Sequence, residues 1–440
     1  MEPARQSISA ADLAVLTVAT LDSRSVTFEV DGRILRAFRS EVSPFYRSLF
    51  ESPGAEELFS AGLARSWIVQ DQVEGFELVV ESERVPVVTY PPEWPTAMLR
   101  EAGLLIATLG RALASHGFGL LDAHPWNVLF SGTRAVWVDL GSIGPAAPIS
   151  SGWLAEFRRH IVVPLSLHAA GLHSLGDRVM SEHRTVGAKG LLDGRGIRQI
   201  WPLRYARILH GTRRPGDVFP ALADYISGLE PAGGRTDWSG YVQTPGVKVG
   251  ETEKYGPKQL AVDSLLQSLE PGRVLDVGSN AGWFAELAAS YGHSVTALDT
   301  DDRTLSGLFR RAKLHGHPIQ PTRMNILWPT GSYGLGLAFP DALTRLRSDY
   351  TMWLAVLHHF VHREKIRFEA FASIVDRLTS RAAIVEFIPR DDPHIRAWPI
   401  ANEPWYDLPT FTSAMAPYFP HWRVLPSTRP SRQMILFSRS

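Results

Sequence analysis

The sequence predicts two regions in tandem: a C-terminal α/β domain built on an open, mostly parallel sheet with a terminal antiparallel hairpin, preceded by a less regular α+β domain. Three observations lead there. At 440 residues the chain is longer than one ordinary hydrophobic core organises. From about Trp238 onward, short apolar runs alternate with helix-period segments, the pattern of a parallel sheet. Within that half, "VLDVGSNAGWFAELAAS" (Val274–Ser290) reads as a buried strand, a glycine-punctuated turn and the start of a helix. Such turns bring backbone close to a bound ligand.

Composition narrows the chemistry. With 45% hydrophobic and 20% charged residues the chain is an ordinary globular protein. It has no cysteine, which excludes disulfides, thiolate nucleophiles and cysteine-type zinc sites. Its formal net charge is zero, so no global pull on nucleic acid is expected, and an RNA substrate is disfavoured. The N-terminal stretch lacks a basic region followed by a long apolar run, and no window of about 18 continuous apolar residues occurs. A cytoplasmic protein with no membrane partner is the expectation. Only six of the 45 basic residues are lysines, the first being Lys189.

The elements follow in order. "SVTFEVDGRILRAFRS" (Ser25–Ser40) predicts a hairpin turning at Asp31-Gly32. "TAMLREAGLLIATLGRALASHG" predicts a long helix: Thr96 caps it, Gly117 ends it, and Leu99, Ala102, Gly103, Ile106, Leu109, Gly110 and Leu113 share one face. "LLDAHPWNVLF" and "AVWVDLGSIG" are two apolar runs joined by a Ser-Gly-Thr turn, and Trp153 to about Leu229 reads as further helices. Leu229–Gly246, rich in Gly, Pro and polar residues, predicts a boundary, giving domains 1–235 and 236–440. Strands are expected at Arg273–Val277, Ser294–Asp299, Thr322–Ile326, Tyr350–Leu357 and Ala382–Ile388. Between the last two, "REKIRFEAFASIVDRL" predicts a helix, with Phe371, Ile374, Val375 and Leu378 at one-face spacing. "HWRVLPSTRPSRQMILFSRS" supplies the terminal hairpin.

In the glycine turn, Asp276, Gly278, Asn280 and Gly282 are each two apart. Gly278 admits a ligand where a Cβ would stand, and Asn280 is among the few residues that tolerate a left-handed backbone. Backbone N–H groups of the turn are expected to meet a polar ligand. A second acid should end the next strand to hold a ribose diol. Asp299 stands there. Dinucleotide enzymes carry glycines where this turn carries an acid, and an acid would repel a pyrophosphate but suits a cationic amino-acid moiety.

This D-x-G-x-N-x-G pattern resembles the first motif of class I S-adenosylmethionine-dependent methyltransferases. The resemblance covers about Trp238 to Ser440 and includes "RMNILWP" after the third strand, "LAVLHHF" after the fourth and the final hairpin. It implies a Rossmann-like sheet and S-adenosyl-L-methionine as cofactor. Asp276 would orient the methionine portion through Gly278, Ser279 and their neighbours, with Asn280 and Gly282 shaping the turn. Asp299 would bind the ribose hydroxyls and Asn325 would stand near the adenine. On the acceptor side, His358 or His359 sits where ligands of open α/β sheets bind and could take a proton, or one could close the cofactor pocket while the other packs. Glu386 could face the acceptor or form a structural salt bridge. Tyr255 and Lys258 could close over the cofactor or start a helix. The spacing of His358, His359 and His362 matches no standard metal site, so no metal is expected.

"DAHPWN" (Asp122–Asn127) and "VDLG" with Asp139 look like the catalytic loop and the DFG-type motif of the kinase-like fold, particularly its aminoglycoside phosphotransferase branch. The resemblance implies that Asp122 accepts a substrate hydroxyl proton while Asn127 and Asp139 hold magnesium. The pattern is degenerate: no lysine precedes Lys189 and nothing resembles a glycine-rich loop. Arg36 occupies a plausible strand position, yet arginine is no simple replacement for a phosphate-clamping lysine. This suggests a pseudokinase, a substrate-recognition domain or an ATP-independent site. The chain as a whole is similar, from Ser25 onward, to a bacterial group of two-part proteins called methyltransferases that includes host-specificity nodulation proteins. The expectation is methyl transfer to an oxygen or nitrogen of a small molecule or glycoconjugate, with the kinase-like half shaping acceptor recognition. The alternatives are a bifunctional phosphotransferase–methyltransferase and a non-catalytic cofactor-binding module of a biosynthetic complex.

Overall fold

The computed structural model describes residues 7–18, 22–146, 152–181, 215–231, 246–396, 403–427 and 431–440. Most of the expected boundary Leu229–Gly246, and much of the helical stretch after Trp153, lie outside the described residues. The chain forms two compact units. One comprises Met1–Pro92, Thr96–Gly234 and Ser332–Pro340; the other comprises Glu93–Pro95, Arg235–Gly331 and Asp341–Ser440.

In the N-terminal unit, Ser25–Val30 and Arg33–Phe38 pair antiparallel as the sequence predicts. Asp31 (φ 50°) and Gly32 (φ 76°) make the turn, both left-handed, the geometry that matches strand twist in a two-residue hairpin. Thr17–Val18, Leu78–Ser82 and Ser66–Val69 complete a five-stranded sheet. The long helix spans Thr96–Ser115, and all seven residues of its expected apolar face are buried. After it, Val128–Ser131 and Arg134–Trp137 form a small hairpin between Asn127 and Asp139. The layout is the α+β arrangement expected of this half.

The C-terminal unit is a single seven-stranded sheet. Its strands are β1 (Arg273–Val277), β2 (Ser294–Asp299), β3 (Ile319–Arg323), β4 (Ser348–Trp353), β5 (Thr379–Phe387), β6 (His421–Leu425) and β7 (Gln433–Ser438), in the order β3-β2-β1-β4-β5-β7-β6. β1 to β5 run parallel, and β7 inserts antiparallel between β5 and β6. The order reverses beside β1, so β1 and β4 diverge into the crevice where open α/β sheets bind ligands. Helices cover both faces, and residues such as Val274, Ala297, Met352 and Ile384 are buried in a core shared with Leu266, Phe284 and Leu308.

Three strands differ from expectation; β5 begins at Thr379, not Ala382, directly after the helix that ends at Leu378. β3 begins at Ile319, not Thr322, and contains Pro321. Proline reads as a strand breaker, but β3 is a sheet edge, where a missing N–H costs no ladder bond. β4 ends at Trp353 because Ala355 turns left-handed (φ 58°) and Leu357 opens the helix Leu357–His362. The apolar run "WLAVL" therefore crosses a strand–helix junction. The next helix is Phe368–Leu378, starting after the charged residues that were expected inside it.

Candidate functional site

The turn after β1 adopts the backbone that its residues suggest. Gly278 (φ 71°), Asn280 (φ 49°) and Gly282 (φ 82°) are all left-handed. A Cβ on Gly278 would lie 2.7 Å from Val356 Cγ2, so glycine lets the turn close on the β4 loop. The turn's N–H groups are used internally, against the expectation that they meet a ligand. Gly278 and Ser279 donate to the Leu298 carbonyl (2.8 and 3.1 Å), Asn280 donates to Asp299 Oδ2 (2.8 Å), and Gly282 donates to the Ser279 carbonyl (2.8 Å). What the turn leaves for a ligand is side-chain chemistry.

That chemistry centres on Asp276. It is buried, and its Oδ2 has no hydrogen-bond partner; the buried Ser279 Oγ is in the same condition. Burial, and secondarily the Asp299 charge, push the Asp276 carboxyl up to about 7 against the pull of Lys258. Burial also raises Asp299, although that carboxylate accepts backbone N–H groups from Asn280, Thr300 and Asp301. Burial thus raises both acids, with the Lys258 charge opposing the shift at Asp276.

A cleft of about 340 Å³ opens at this edge of the sheet. Its walls include Gly278, Asn280, Asp299, Asn325, His358 and His359. Asp276 is buried and is not itself among the lining residues; its chain neighbours Val277 and Gly278 are. Asn325 Oδ1 accepts the Leu327 N–H (3.0 Å), which fixes the loop after β3. The His358 and His359 rings lie 4.3 Å apart at the start of the Leu357–His362 helix. His362, one turn on, packs instead against Tyr406 (4.4 Å), and burial, followed by the Lys365 charge, lowers its pKa.

Glu386 is placed differently. It is fully buried on β5, 2.6 Å from Lys258 Nζ and accepting from Ser427 Oγ at 3.0 Å. Burial raises its pKa, but the Lys258 charge and these hydrogen bonds outweigh burial and leave it below the usual value. It is not among the residues that line the cleft. Lys258 begins the helix Pro257–Ser268, and Tyr255 packs edge-on against Trp283 (5.2 Å) while its hydroxyl accepts the Gly250 N–H. The cleft also contains Arg432, bound through two nitrogens to the fully buried Asp392 (2.9 and 3.1 Å). Nothing local in the sequence marks Arg432, which reaches the site from the start of β7.

No protein-family model matches the chain. The chain is 25% identical over 401 residues to nodulation protein NoeA of Rhizobium meliloti (strain 1021), a match covering 83% of this chain and 80% of that protein. The similarity to nodulation proteins drawn from the sequence is borne out. Among solved structures, monomeric WbdD is 17% identical with a TM-score of 0.29, each chain covered to 40%. PH0226 from Pyrococcus horikoshii OT3 is 13% identical, with a TM-score of 0.32, over 41% of this chain and 89% of that one. Magnesium protoporphyrin IX methyltransferase (ChlM) from Synechocystis PCC 6803, solved with bound SAH, is 15% identical, with a TM-score of 0.29, over 41% and 83%. Among the described residues, no helix is long and apolar enough to cross a membrane.

Proposed function

We propose that the C-terminal domain, residues 236–440, binds S-adenosyl-L-methionine and passes its methyl group to an oxygen or nitrogen of a small molecule or glycoconjugate. The kinase-like domain, residues 1–235, serves acceptor recognition. One observation carries the cofactor assignment: the buried Asp276 carboxylate with a partnerless oxygen beneath a left-handed turn. Desolvating an unpaired carboxylate is costly, so such a group is kept where a cationic ligand compensates it. A pyrophosphate would add repulsion from Asp276 and Asp299, whereas an amino-acid ammonium and a sulfonium fit both.

In this reading Asp276 holds the charged amino-acid end, Asp299 the ribose hydroxyls, and Asn325 borders the base. The cofactor supplies an electrophilic methyl on a positively charged sulfur. The chain's task is then to place the acceptor in line and to take its proton. His358 and His359 line the cleft and are the candidates for that proton. Glu386 is already engaged by Lys258, which favours a positioning role: it anchors an ammonium whose field reaches Asp276.

Isothermal titration of the full chain with S-adenosylmethionine tests the reading. A dissociation constant between low-micromolar and sub-millimolar is expected, and Asp299→Ala should abolish measurable binding. No heat from the folded wild-type chain at millimolar ligand refutes the cofactor. Unchanged affinity in Asp299→Ala refutes the ribose assignment.

A further inference from the structure

The N-terminal unit has its own acid-bearing turn, and its atoms are arranged differently. Asp139 Oδ1 accepts from Arg36 Nη1 (2.7 Å) and from the Gly141 N–H (3.0 Å). Its Oδ2 accepts from Ser142 Oγ, and that hydroxyl in turn receives Asn127 Nδ2 at 3.1 Å. Arg36 is itself caged. Its Nε and Nη2 donate to Ser25 Oγ (3.1 and 2.9 Å), Asp22 lies 4.0 Å away, and the Phe38 ring sits 5.6 Å beneath the guanidinium.

The fold supports this arrangement. Arg36 stands on the strand Arg33–Phe38, and Asp139 follows the hairpin strand Arg134–Trp137. A Cβ on residue 141 would fall 2.4 Å from Arg36 Nη2, so the glycine leaves the space that the guanidinium fills. Tyr46 donates to the Leu140 carbonyl (3.0 Å) and stacks on Phe38 (3.9 Å), fixing both sides of the same contact.

Kinase-like resemblance implies magnesium on Asn127 and Asp139, and these residues do not fit it. Magnesium needs near-octahedral oxygen ligands at about 2.0–2.1 Å. Both Asp139 oxygens are engaged, and a divalent ion there would face a buried guanidinium of like charge. We infer that Arg36 is the resident cation of this turn, taking the place of a metal ion, and that the N-terminal domain therefore works without phosphoryl transfer. The inference is independent of the methyl-transfer reading, since every residue in it belongs to the N-terminal unit. Asp122 remains beside His124 (3.0 Å); burial raises its pKa but the contacts with His124 outweigh burial and lower it, so an ionised acid persists with no metal partner implied.

Manganese titration of the full chain, followed by electron paramagnetic resonance, is the test. Wild type and Asp139→Asn should bind Mn²⁺ equally, because Asp139 is not a ligand in either. Arg36→Met should gain at least about tenfold in Mn²⁺ affinity, and Arg36→Met/Asp139→Asn should lose that gain. Wild-type affinity that falls in Asp139→Asn overturns the inference, as does a folded Arg36→Met with no gain. Calorimetry of the wild type with Mg-ATP adds an arm that needs no variant: absence of binding supports the inference, and binding weakened by Asp139→Asn overturns it.

Discussion

Asp276 and Asp139 each sit at the end of a strand and enter a glycine-bearing turn, yet their surroundings are opposite. Asp276 is buried with an oxygen that finds no partner, and the charge acting on it most strongly is that of another acid. Asp139 has both oxygens engaged, one of them by an arginine. A turn whose polar groups are all met internally is finished as a structural element. One that leaves a desolvated carboxylate unmet carries a cost in stability, which the proposed cationic ligand would offset. On the proposed reading, the contrast separates a turn open to a ligand from a turn whose acid serves as an internal contact.

Glu386 extends the contrast into the C-terminal unit and gives the largest expected effect. It is as deeply buried as Asp276, but Lys258 meets it. Removing one partner of a buried ion pair leaves an uncompensated charge, which costs about 3–5 kcal/mol. Lys258→Met should lower unfolding stability by that amount in urea denaturation followed by tryptophan fluorescence. Adding Glu386→Leu should restore most of it. If Lys258→Met is as stable as wild type while Glu386→Gln loses turnover, Glu386 is working as a base and the division drawn here is wrong.

The second prediction sharpens the Asp276 side. Burial, and secondarily the Asp299 charge, push its carboxyl up to about 7 from an ordinary value of 3.8. The folded state therefore holds the proton more tightly than the unfolded state, so this group's contribution to stability is full below about pH 4 and is lost as pH rises to about 7. Binding a cation runs the other way, because it needs the ionised form. Affinity for S-adenosylmethionine should rise by up to about tenfold per pH unit below about 7 and level off above it. Titrations across about pH 5.5 to 8.5 read this directly. Asp276→Asn should flatten the profile; a wild-type profile already flat would show that Asp276 is not the cation's partner.

The sequence exposed local geometry well. The left-handed positions of the turn, the acid ending β2, the hairpin at Asp31-Gly32 and the apolar face of Thr96–Ser115 all follow from short-range spacing. β3 starts three residues before the expected Thr322 and holds Pro321, which its place at the sheet edge accommodates; edge position is a property of the assembled sheet. Contacts across long separations were the other blind spot. Lys258 and Glu386 are 128 residues apart and Arg36 and Asp139 are 103 apart. Sequence could say that Glu386 needed a partner and that Arg36 was an odd substitute for lysine. It could not say that one acid would be met and another left open, because that depends on which strands become neighbours.

The smallest effect tests the comparison at its finest grain, with one methyl group added to each turn. Gly141→Ala would put a Cβ 2.4 Å from the tip of Arg36, a flexible side chain that can withdraw. Overpacking relieved in this way should cost about 1 kcal/mol of stability and loosen the Arg36–Asp139 pair. Affinity for S-adenosylmethionine should not change, because every atom affected belongs to the N-terminal unit. Gly278→Ala adds the same methyl against Val356 at 2.7 Å on a backbone at φ 71°, which alanine adopts only under strain. There the loss should appear in cofactor affinity as well as in stability. Thermal melting paired with calorimetry on the two variants separates the outcomes: if Gly141→Ala weakens cofactor binding as much as Gly278→Ala does, the two turns are not independent and the assignment of binding to one of them fails.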